Sequence, residues 1–240
     1  MSLDGARVLV VGGGSGIGFA VAQAAKAEGA KVTIASTNAA KLEAAVERLG
    51  GGKWALLDIT DEDAVARFFK SCGDFNHVVT TAGDWGSARR GPFVAMDMDE
   101  AQALFRVRFW GAAILAKHAA WHLDDGGSIT LTSGMSAFKP QKGSVMATAM
   151  AGSIEHLMYG LAVELAPIRV NAVFPGGVAT EIFAGLPEEM RKSEEARFAS
   201  QPIPRISRPE EVAEAYLYAM KASYTTGQVI KLDGGGELAG

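Results

Sequence analysis

The chain has 240 residues, with 48% hydrophobic and 21% charged side chains, a balance that is typical of folded globular domains and excludes a disordered chain. The formal net charge of −4 provides no positive field for a nucleic-acid backbone, and no apolar run reaches the roughly 18 residues that a membrane span requires. Cys72 is the only cysteine, which excludes an intrachain disulfide. We expect a cytoplasmic protein whose partner is a small molecule.

Short runs of β-branched residues alternate with stretches whose apolar residues recur at helical spacing. Strands that alternate with helices pair in parallel through right-handed crossovers, with helices on both faces of the sheet. The sequence therefore predicts an α/β fold with a doubly wound parallel sheet of about seven strands, forming a single domain over residues 1–240. The predicted strands span residues 7–11, 31–35, 53–57, 77–80, 128–132, 169–174 and 228–232.

A glycine-rich turn follows the first predicted strand and precedes a helical stretch. Glycines at this point let the backbone turn sharply and approach a pyrophosphate, while free amide groups at the start of the helix face its negative charge. The position of the turn between a strand and a helix predicts a dinucleotide-binding site. Its residues are Gly12, Gly14, Ser15, Gly16, Ile17 and Gly18.

The order of motifs along the chain resembles that of the short-chain dehydrogenase/reductase family, whose Rossmann-type fold binds NAD(H) or NADP(H). The glycine turn resembles the family's Thr-Gly-x-x-x-Gly-x-Gly, with Val11 in place of the threonine. Segments 57–59 and 80–83 resemble the adenine-contacting segment and the Asn-Asn-Ala-Gly turn. Segments 168–180 and 226–235 resemble the strand leading into the nicotinamide loop and the Asp-Gly-Gly segment near the end of the domain. The resemblance covers nearly the whole chain.

The resemblance implies further cofactor-binding residues beyond the glycine turn. Asp58 would lie near the adenine, the loop that starts at Pro175 would line the nicotinamide, and Thr180 would bond its carboxamide. The full set outside the turn is Ser36, Thr37, Asn38, Asp58, Ile59, Ala82, Gly83, Pro175, Gly176, Val178 and Thr180.

The end of the second predicted strand distinguishes the two nicotinamide cofactors. An acidic side chain there would bond the ribose 2′-hydroxyl of NAD(H). Ser36, Thr37 and Asn38 provide hydroxyl and amide groups instead, and Lys41 follows one helical turn later. These groups would not repel a 2′-phosphate, so the sequence favours NADP(H), with NAD(H) as the alternative.

The residues with which relatives move a proton are replaced here. The family uses an asparagine, a serine, a tyrosine and a lysine, and their positions fall on Arg108, Gly134, Ala147 and Ala151. The register rests on two anchors, the helix end at residues 161–165 and the serine-to-tyrosine spacing, here 13 residues from Gly134 to Ala147. Alanine neither donates a proton nor holds a charge. No tyrosine in the chain is followed four residues later by a lysine, so the usual acid/base pair is predicted to be absent.

Other side chains near the predicted site have two interpretations each. Ser133 would reach a substrate oxygen, or is a polar residue at a strand end. Arg108 would bind a carboxylate or phosphate of the substrate, or is solvated or ion-paired. Asp84 and Trp85 would lie at the mouth of the site, or form an exposed loop pair.

Histidines and one polar segment complete the predictions. His118 and His122 are four residues apart on a predicted helix, but no third ligand is apparent, so we predict a structural role and no metal site. His156 and Tyr159 are predicted to serve in packing or subunit contact.

Residues 185–205, most polar over 187–204, are predicted to form a mobile substrate loop or lid.

Two functions remain open. In the first, the chain transfers hydride to or from a C=O, C=N or C=C bond, and the proton comes from water, from Ser133 or from the substrate; an iminium acceptor would need no enzyme acid. In the second, the chain is an inactive subunit or cofactor sensor that pairs with an active relative. The resemblance implies a homodimer or homotetramer formed through helices around residues 97–121 and 145–165 and through the C-terminal Asp-Gly-Gly segment. In the second function the same surfaces would form a hetero-oligomer with an active relative.

Overall fold

A computed structural model describes residues 2–83 and 91–239. Its centre is a parallel sheet of seven strands in the order β3-β2-β1-β4-β5-β6-β7. The strands are β1 (Arg7–Val11), β2 (Lys31–Ser36), β3 (Lys53–Leu56), β4 (Phe75–Thr80), β5 (Leu123–Thr132), β6 (Arg169–Pro175) and β7 (Val229–Leu232). The predicted α/β fold with about seven parallel strands is therefore confirmed.

Helices cover both faces of this sheet. They are α1 (Gly16–Ala27), α2 (Ala39–Arg48), α3 (Glu62–Cys72), α4 (Met98–Phe105), α5 (Ala112–Ala119), α6 (Val145–Glu164), α7 (Glu181–Ala184), α8 (Glu188–Ala199) and α9 (Pro209–Lys221). Helices α1, α2 and α9 pack on one face through a core that includes Val21, Leu42 and Tyr216. Helices α3, α5 and α6 pack on the other face. Each face of the sheet is thus buried, as the apolar strands require.

Strand boundaries differ from the sequence predictions mainly in β5. The structure starts this strand at Leu123, five residues before the predicted residue 128, and Leu123 pairs with Phe75 of β4. The register between the two strands shifts between Phe75 and His77. Because the extension contains Asp124, Asp125 and two glycines, residue types that are depleted in strands, the sequence pattern does not reveal it.

The topology places a cleft at the carboxyl ends of the central strands. The chain runs from β1 outward through β2 to β3, and then returns to β4 on the other side of β1. At such a reversal the loops that follow β1 and β4 diverge, which opens a crevice above the sheet. The glycine turn after β1 and the segment after β4 therefore border the same space.

A turn of π-helix joins α4 to α5. It spans Arg106–Gly111, with α4 directly before it and α5 directly after it. Such wide turns are rare and occur frequently at functional sites. The π-helical turn packs against α6, so it brings Arg108 toward the helix that carries the predicted tyrosine and lysine positions.

Among residues 2–83 and 91–239, the model contains no helix that is long and apolar enough to cross a membrane.

Candidate active site

One cavity of about 1250 Å³ lies at the carboxyl ends of the strands. Its walls include every one of the 17 cofactor-binding residues predicted from the sequence, so the structure brings that whole set together. The volume exceeds the roughly 300–1,000 Å³ of an ordinary small-molecule pocket. It is large enough for a dinucleotide with a substrate beside it.

The glycine turn is packed too tightly for any side chain at two of its positions. A Cβ on Gly12 would lie 2.6 Å from Thr81 Oγ1, and one on Gly18 would lie 2.2 Å from the carbonyl oxygen of Gly12. Gly16 starts α1 with a positive φ of 52°, and a Cβ there would face Thr180 at 3.2 Å. The turn therefore holds the start of α1 against the sheet and leaves its amide groups open to a phosphate. This cradle fits a pyrophosphate.

Side chains at the end of β2 are neutral and are held by local hydrogen bonds. The Asn38 side chain accepts from the backbone N–H of Lys41 at 3.0 Å and so caps α2. Ser36 Oγ accepts from the backbone N–H of Asn38 at 3.3 Å. Ser36, Thr37, Asn38 and Lys41 all line the cavity here. No carboxylate occupies the position at the end of β2 where NAD(H)-binding relatives carry one.

Asp58 lies at the outer end of the cavity and is held in a fixed orientation. Its Oδ1 accepts from the Thr60 backbone N–H at 2.9 Å and from the Thr60 hydroxyl at 2.7 Å. These two hydrogen bonds, with a smaller contribution from the Arg106 charge, lower the pKa of the Asp58 carboxyl. The carboxylate is therefore ionised at neutral pH.

The loop after β6 forms the wall opposite the glycine turn. Ser207 Oγ donates to the carbonyl oxygen of Gly177 at 2.8 Å and ties the loop to the segment before α9. The ring of Phe198, from α8, lies against Gly177, where a Cβ would approach to 2.1 Å. Phe198 is buried, so this contact joins α8 directly to the loop that contains Thr180.

The positions that the resemblance assigns to proton transfer are Arg108, Gly134, Ala147 and Ala151. Gly134 and Ala147 line the cavity, whereas Ala151 is buried one turn further along α6. Ser133 is also buried, and its hydroxyl donates to the carbonyl oxygen of Ala151 at 3.0 Å. The Ser133 proton is therefore directed into α6. This hydrogen bond favours the interpretation of Ser133 as a polar residue at a strand end.

Arg108 is the fourth of these positions, and it carries a charge into the cavity wall. The residue is only 6% exposed. Its guanidinium carbon lies 2.5 Å from the point where Gly83 would place a Cβ, so the group fits against Gly83 only because that residue is a glycine. The π-helical turn sets the direction in which the Arg108 side chain points. The sequence pattern gave no sign of that turn.

None of the four tyrosines lines the cavity. Tyr216 is fully buried on α9 and its hydroxyl is 2.7 Å from Thr132 Oγ1; burial raises the pKa of Tyr216 well above its usual value. Tyr159 donates to Glu155 at 2.7 Å on the exposed face of α6. Tyr218 and Tyr224 are exposed.

The far end of the cavity contains residues that the sequence analysis did not select individually, although Glu194 and Arg197 lie within the predicted substrate segment 185–205. Glu194 of α8 accepts from the Arg197 guanidinium at 2.6 Å, and both residues line the cavity. Lys139 Nζ donates to the carbonyl oxygens of Gly236 at 2.7 Å and of Ala239. No local motif marks the Lys139 contacts, because they join segments about 100 residues apart in the chain. The apolar part of this wall consists of Met135, Ile182, Phe183, Leu186, Pro187, Met190 and Phe198.

The two helical histidines lie away from this cavity. His118 Nε2 is 3.2 Å from Glu62, and His122 Nδ1 is 3.2 Å from Asp74. These separate contacts agree with the predicted structural role. Asp84 and Trp85 lie outside the residues that the structure describes.

The family model described as enoyl-(acyl carrier protein) reductase matches residues 11–237. The short-chain dehydrogenase/reductase ATR9 of Stachybotrys chlorohalonatus is 34% identical over 253 residues, which cover 99% of each chain. The chain therefore belongs to the short-chain dehydrogenase/reductase family of oxidoreductases.

Two solved structures are similar over nearly their full lengths. A small-chain dehydrogenase in complex with NADPH has 36% identity and a TM-score of 0.84, covering 98% of this chain and 100% of the other. The MalC reductase/Diels-Alderase from Malbranchea aurantiaca has 34% identity and a TM-score of 0.89, covering 98% and 96%. These values agree with the Rossmann-type architecture.

Proposed function

We propose that the chain is an NADP(H)-dependent reductase that acts on an activated acceptor without a tyrosine–lysine acid/base pair. The observation that carries this proposal is the combination of an intact dinucleotide cradle with alanine at 147 and 151. A bound nicotinamide cofactor would supply the hydride. The glycine turn would hold its pyrophosphate, and the loop from Pro175 to Thr180 would orient its reactive ring.

This chain contributes position and electrostatics to the reaction. Holding two reactants side by side removes a large part of the entropic barrier, so hydride transfer proceeds even without an acid. Losing a general acid costs on the order of 10² to 10⁴ in rate for an ordinary ketone. An acceptor that is already activated is therefore the substrate class that suits this site.

The four tyrosines provide the direct test. Changing each of Tyr159, Tyr216, Tyr218 and Tyr224 to Phe is expected to leave turnover of any accepted substrate within about tenfold of wild type, since an essential acid contributes at least about 10². Steady-state kinetics with NADPH measures this, with calorimetry as the check on cofactor binding. A hundredfold loss at any one tyrosine, with folding and cofactor affinity intact, would reveal a displaced acid and contradict the proposal.

The preference for NADP(H) rests on the neutral groups at the end of β2. Ser36, Thr37 and Asn38 line the cavity with Lys41 beside them, and a phosphate there meets no carboxylate. One of the similar solved structures holds NADPH, which supports the same cofactor here.

Ser36→Asp is expected to shift the ratio of NADPH to NADH affinity at least tenfold toward NADH. The new carboxylate would bond the 2′-hydroxyl of NADH and repel the 2′-phosphate of NADPH. Calorimetric titration of both cofactors measures the ratio, with Ser36→Asn as the neutral control. Equal or tighter binding of NADH by the wild-type chain would overturn the preference.

Oligomerisation is part of the proposal, because large apolar side chains on α6 and on the turns before and after α5 are exposed. Trp110 is 59%, Trp121 86% and Val163 82% exposed. Exposed apolar surface of this kind supports an interface between subunits. A homodimer or homotetramer would cover them. The alternative function, an inactive subunit paired with an active relative, uses the same surface. Sedimentation equilibrium of the purified chain distinguishes the homo-oligomer from the subunit that needs a relative as its partner. A chain that stays monomeric would argue against self-association.

A further inference from the structure

A second cavity, of about 590 Å³, lies at the amino ends of β1, β2 and β3. Arg7, at the start of β1, lines this cavity, whereas Val11, at the end of β1, lines the cavity of the candidate active site. At a rise of roughly 3.3 Å per residue, about 13 Å of strand separates the two residues. The volume lies within the roughly 300–1,000 Å³ of an ordinary small-molecule site. The second cavity is therefore a separate space, distinct from the dinucleotide cradle.

The wall of the second cavity is positively charged, although the chain has a formal net charge of −4. Arg7, Lys26, Lys31 and Lys53 line it, and none of the described residues in its wall is acidic. Within residues 2–83 and 91–239, no ion pair joins any of these four cations to a carboxylate. A concave surface lined by charges of one sign raises the local concentration of ligands of the opposite sign. The charges therefore indicate an anionic ligand.

Strand pairing places three of the four cations on one face of the sheet. Arg7 is the Cα partner of Lys31, and Thr33, two residues further along β2, is the Cα partner of Lys53. Because side chains alternate between the two faces along a strand, Arg7, Lys31 and Lys53 project to the same side. Lys31 and Lys53 are exposed, and their ammonium groups make no hydrogen bond within the described part of the chain. Both groups can therefore donate to a ligand.

The other two cations are held in place by neutral carbonyl groups. Lys26 Nζ donates to the carbonyl oxygens of Leu49 and Gly51 at 2.6 Å each. Arg7 Nη2 donates to the carbonyl oxygen of Cys72 at 2.7 Å. Leu49 and Cys72 lie at the C-termini of α2 and α3, where the helix dipole favours a cation. These contacts fix the positions of both groups and cancel no formal charge.

An aromatic ring lies in the same wall as these charges. Trp54 belongs to β3, the strand at the edge of the sheet, and is 38% exposed. Bases stack on exposed aromatic side chains because every base has a π face. A ligand that carries both phosphate groups and a flat ring would thus match the lysines and the indole together.

We propose that the second cavity binds a nucleoside polyphosphate. Lys31 and Lys53 donate to its phosphates, Trp54 packs against its base, and Arg7 and Lys26 add fixed positive charge. The proposal does not depend on the reductase function proposed above, because none of these residues lines the cavity of the candidate active site.

Calorimetric titration with ATP tests the phosphate contacts. The titration is made without Mg²⁺ and with saturating NADPH, which would occupy the dinucleotide cradle. Combining Lys31→Gln with Lys53→Gln is expected to weaken ATP binding at least tenfold, since two charge-assisted contacts are lost. Arg67→Gln combined with Lys142→Gln is the matched control, because it removes two exposed positive charges outside both cavities. The control should bind ATP as wild type does.

Tripolyphosphate and Trp54→Ala test the contact with the base. Wild type is expected to bind ATP at least fivefold more tightly than tripolyphosphate, and ATP is expected to quench indole fluorescence. Trp54→Ala should lose both the preference and most of the quenching, while its affinity for tripolyphosphate stays that of wild type. This variant keeps all four cations, so it separates the base from the phosphates.

Thermal melting establishes that each variant is folded. Four results would each overturn the proposal: no binding of ATP by wild type, unchanged ATP affinity in the variant that lacks Lys31 and Lys53, an equal loss in the matched control, or no preference of wild type for ATP over tripolyphosphate. Failure of the reductase function is a separate result. NADPH would then not bind or would not be oxidised, while loss of ATP affinity on replacing Lys31 and Lys53 would still locate ATP in the second cavity.

Discussion

Replacing Gly16 with valine is expected to abolish binding of the nicotinamide cofactor, with a loss of affinity of at least about a hundredfold. Gly16 has a φ of 52°, which a β-branched residue adopts only with strain, and its Cβ would point across the cavity at Thr180. The pyrophosphate would then be kept from the amide groups at the start of α1. Losing two charge-assisted hydrogen bonds of about 1.5–3 kcal/mol each corresponds to roughly 10² to 10⁴ in affinity.

Calorimetric titration with NADPH measures the loss. Gly160→Ala is the control, because Gly160 lies on α6 with no atom within 4 Å of an added Cβ, and its affinity for NADPH should equal that of wild type. Thermal melting checks that both variants are folded. If Gly16→Val bound NADPH within tenfold of wild type, the glycine turn would not be the pyrophosphate cradle.

Acid is expected to destabilise the fold by roughly 3 kcal/mol through His77 alone. Burial, with a smaller contribution from the Arg169 charge, lowers the pKa of His77 from 6.5 to about 4, and its Nδ1 lies 2.9 Å from Ser128 Oγ. Between these two pH values the unfolded chain binds the proton and the folded chain does not. The stability is therefore complete above about pH 6.5 and falls as the pH decreases toward 4, at about 1.4 kcal/mol for each pH unit.

Urea unfolding at pH 7 and at pH 4.5 tests this for wild type and His77→Asn. The variant cannot take up the proton, so its free energy of unfolding should fall less between the two pH values, although it is less stable at pH 7. His156→Asn, at an exposed histidine on α6, serves as the comparison and should follow wild type. Parallel pH profiles for wild type and His77→Asn would contradict the prediction.

The sequence predicted the fold well because most strands are apolar runs that end at glycine or proline residues. β1 is a run of apolar residues that ends at the glycine turn, and β6 ends at Pro175, so both ends can be recognised locally. The start of β5 is the exception. Leu123 pairs with Phe75, and the Asp and Gly residues that follow it lie at the register shift between the two strands. These residues leave no trace in the hydrophobic pattern.

The glycine turn of the candidate site was also predictable from the sequence, whereas the arrangement of Arg108 and Lys139 was not. Gly12 and Gly18 are required by close backbone contacts that follow from the local turn. The direction of Arg108 depends on the π-helical turn, and the contact of Lys139 with Gly236 depends on a separation of 97 residues. Side-chain direction of this kind is set by tertiary packing. The mobility of residues 185–205 stays a prediction, although α8 within this segment does line the cavity.

The ring of Phe198 against Gly177 has a thermodynamic consequence. Since α8 and the loop after β6 share this buried contact, a movement of one that withdraws the ring must also free the other. Two ligands that each favour the contact between Phe198 and Gly177, one bound beside Thr180 and the other beneath α8, would then be coupled through that contact. Each ligand would then raise the affinity of the protein for the other by the same factor. The affinity measured for either ligand alone would be lower than its affinity in the ternary complex.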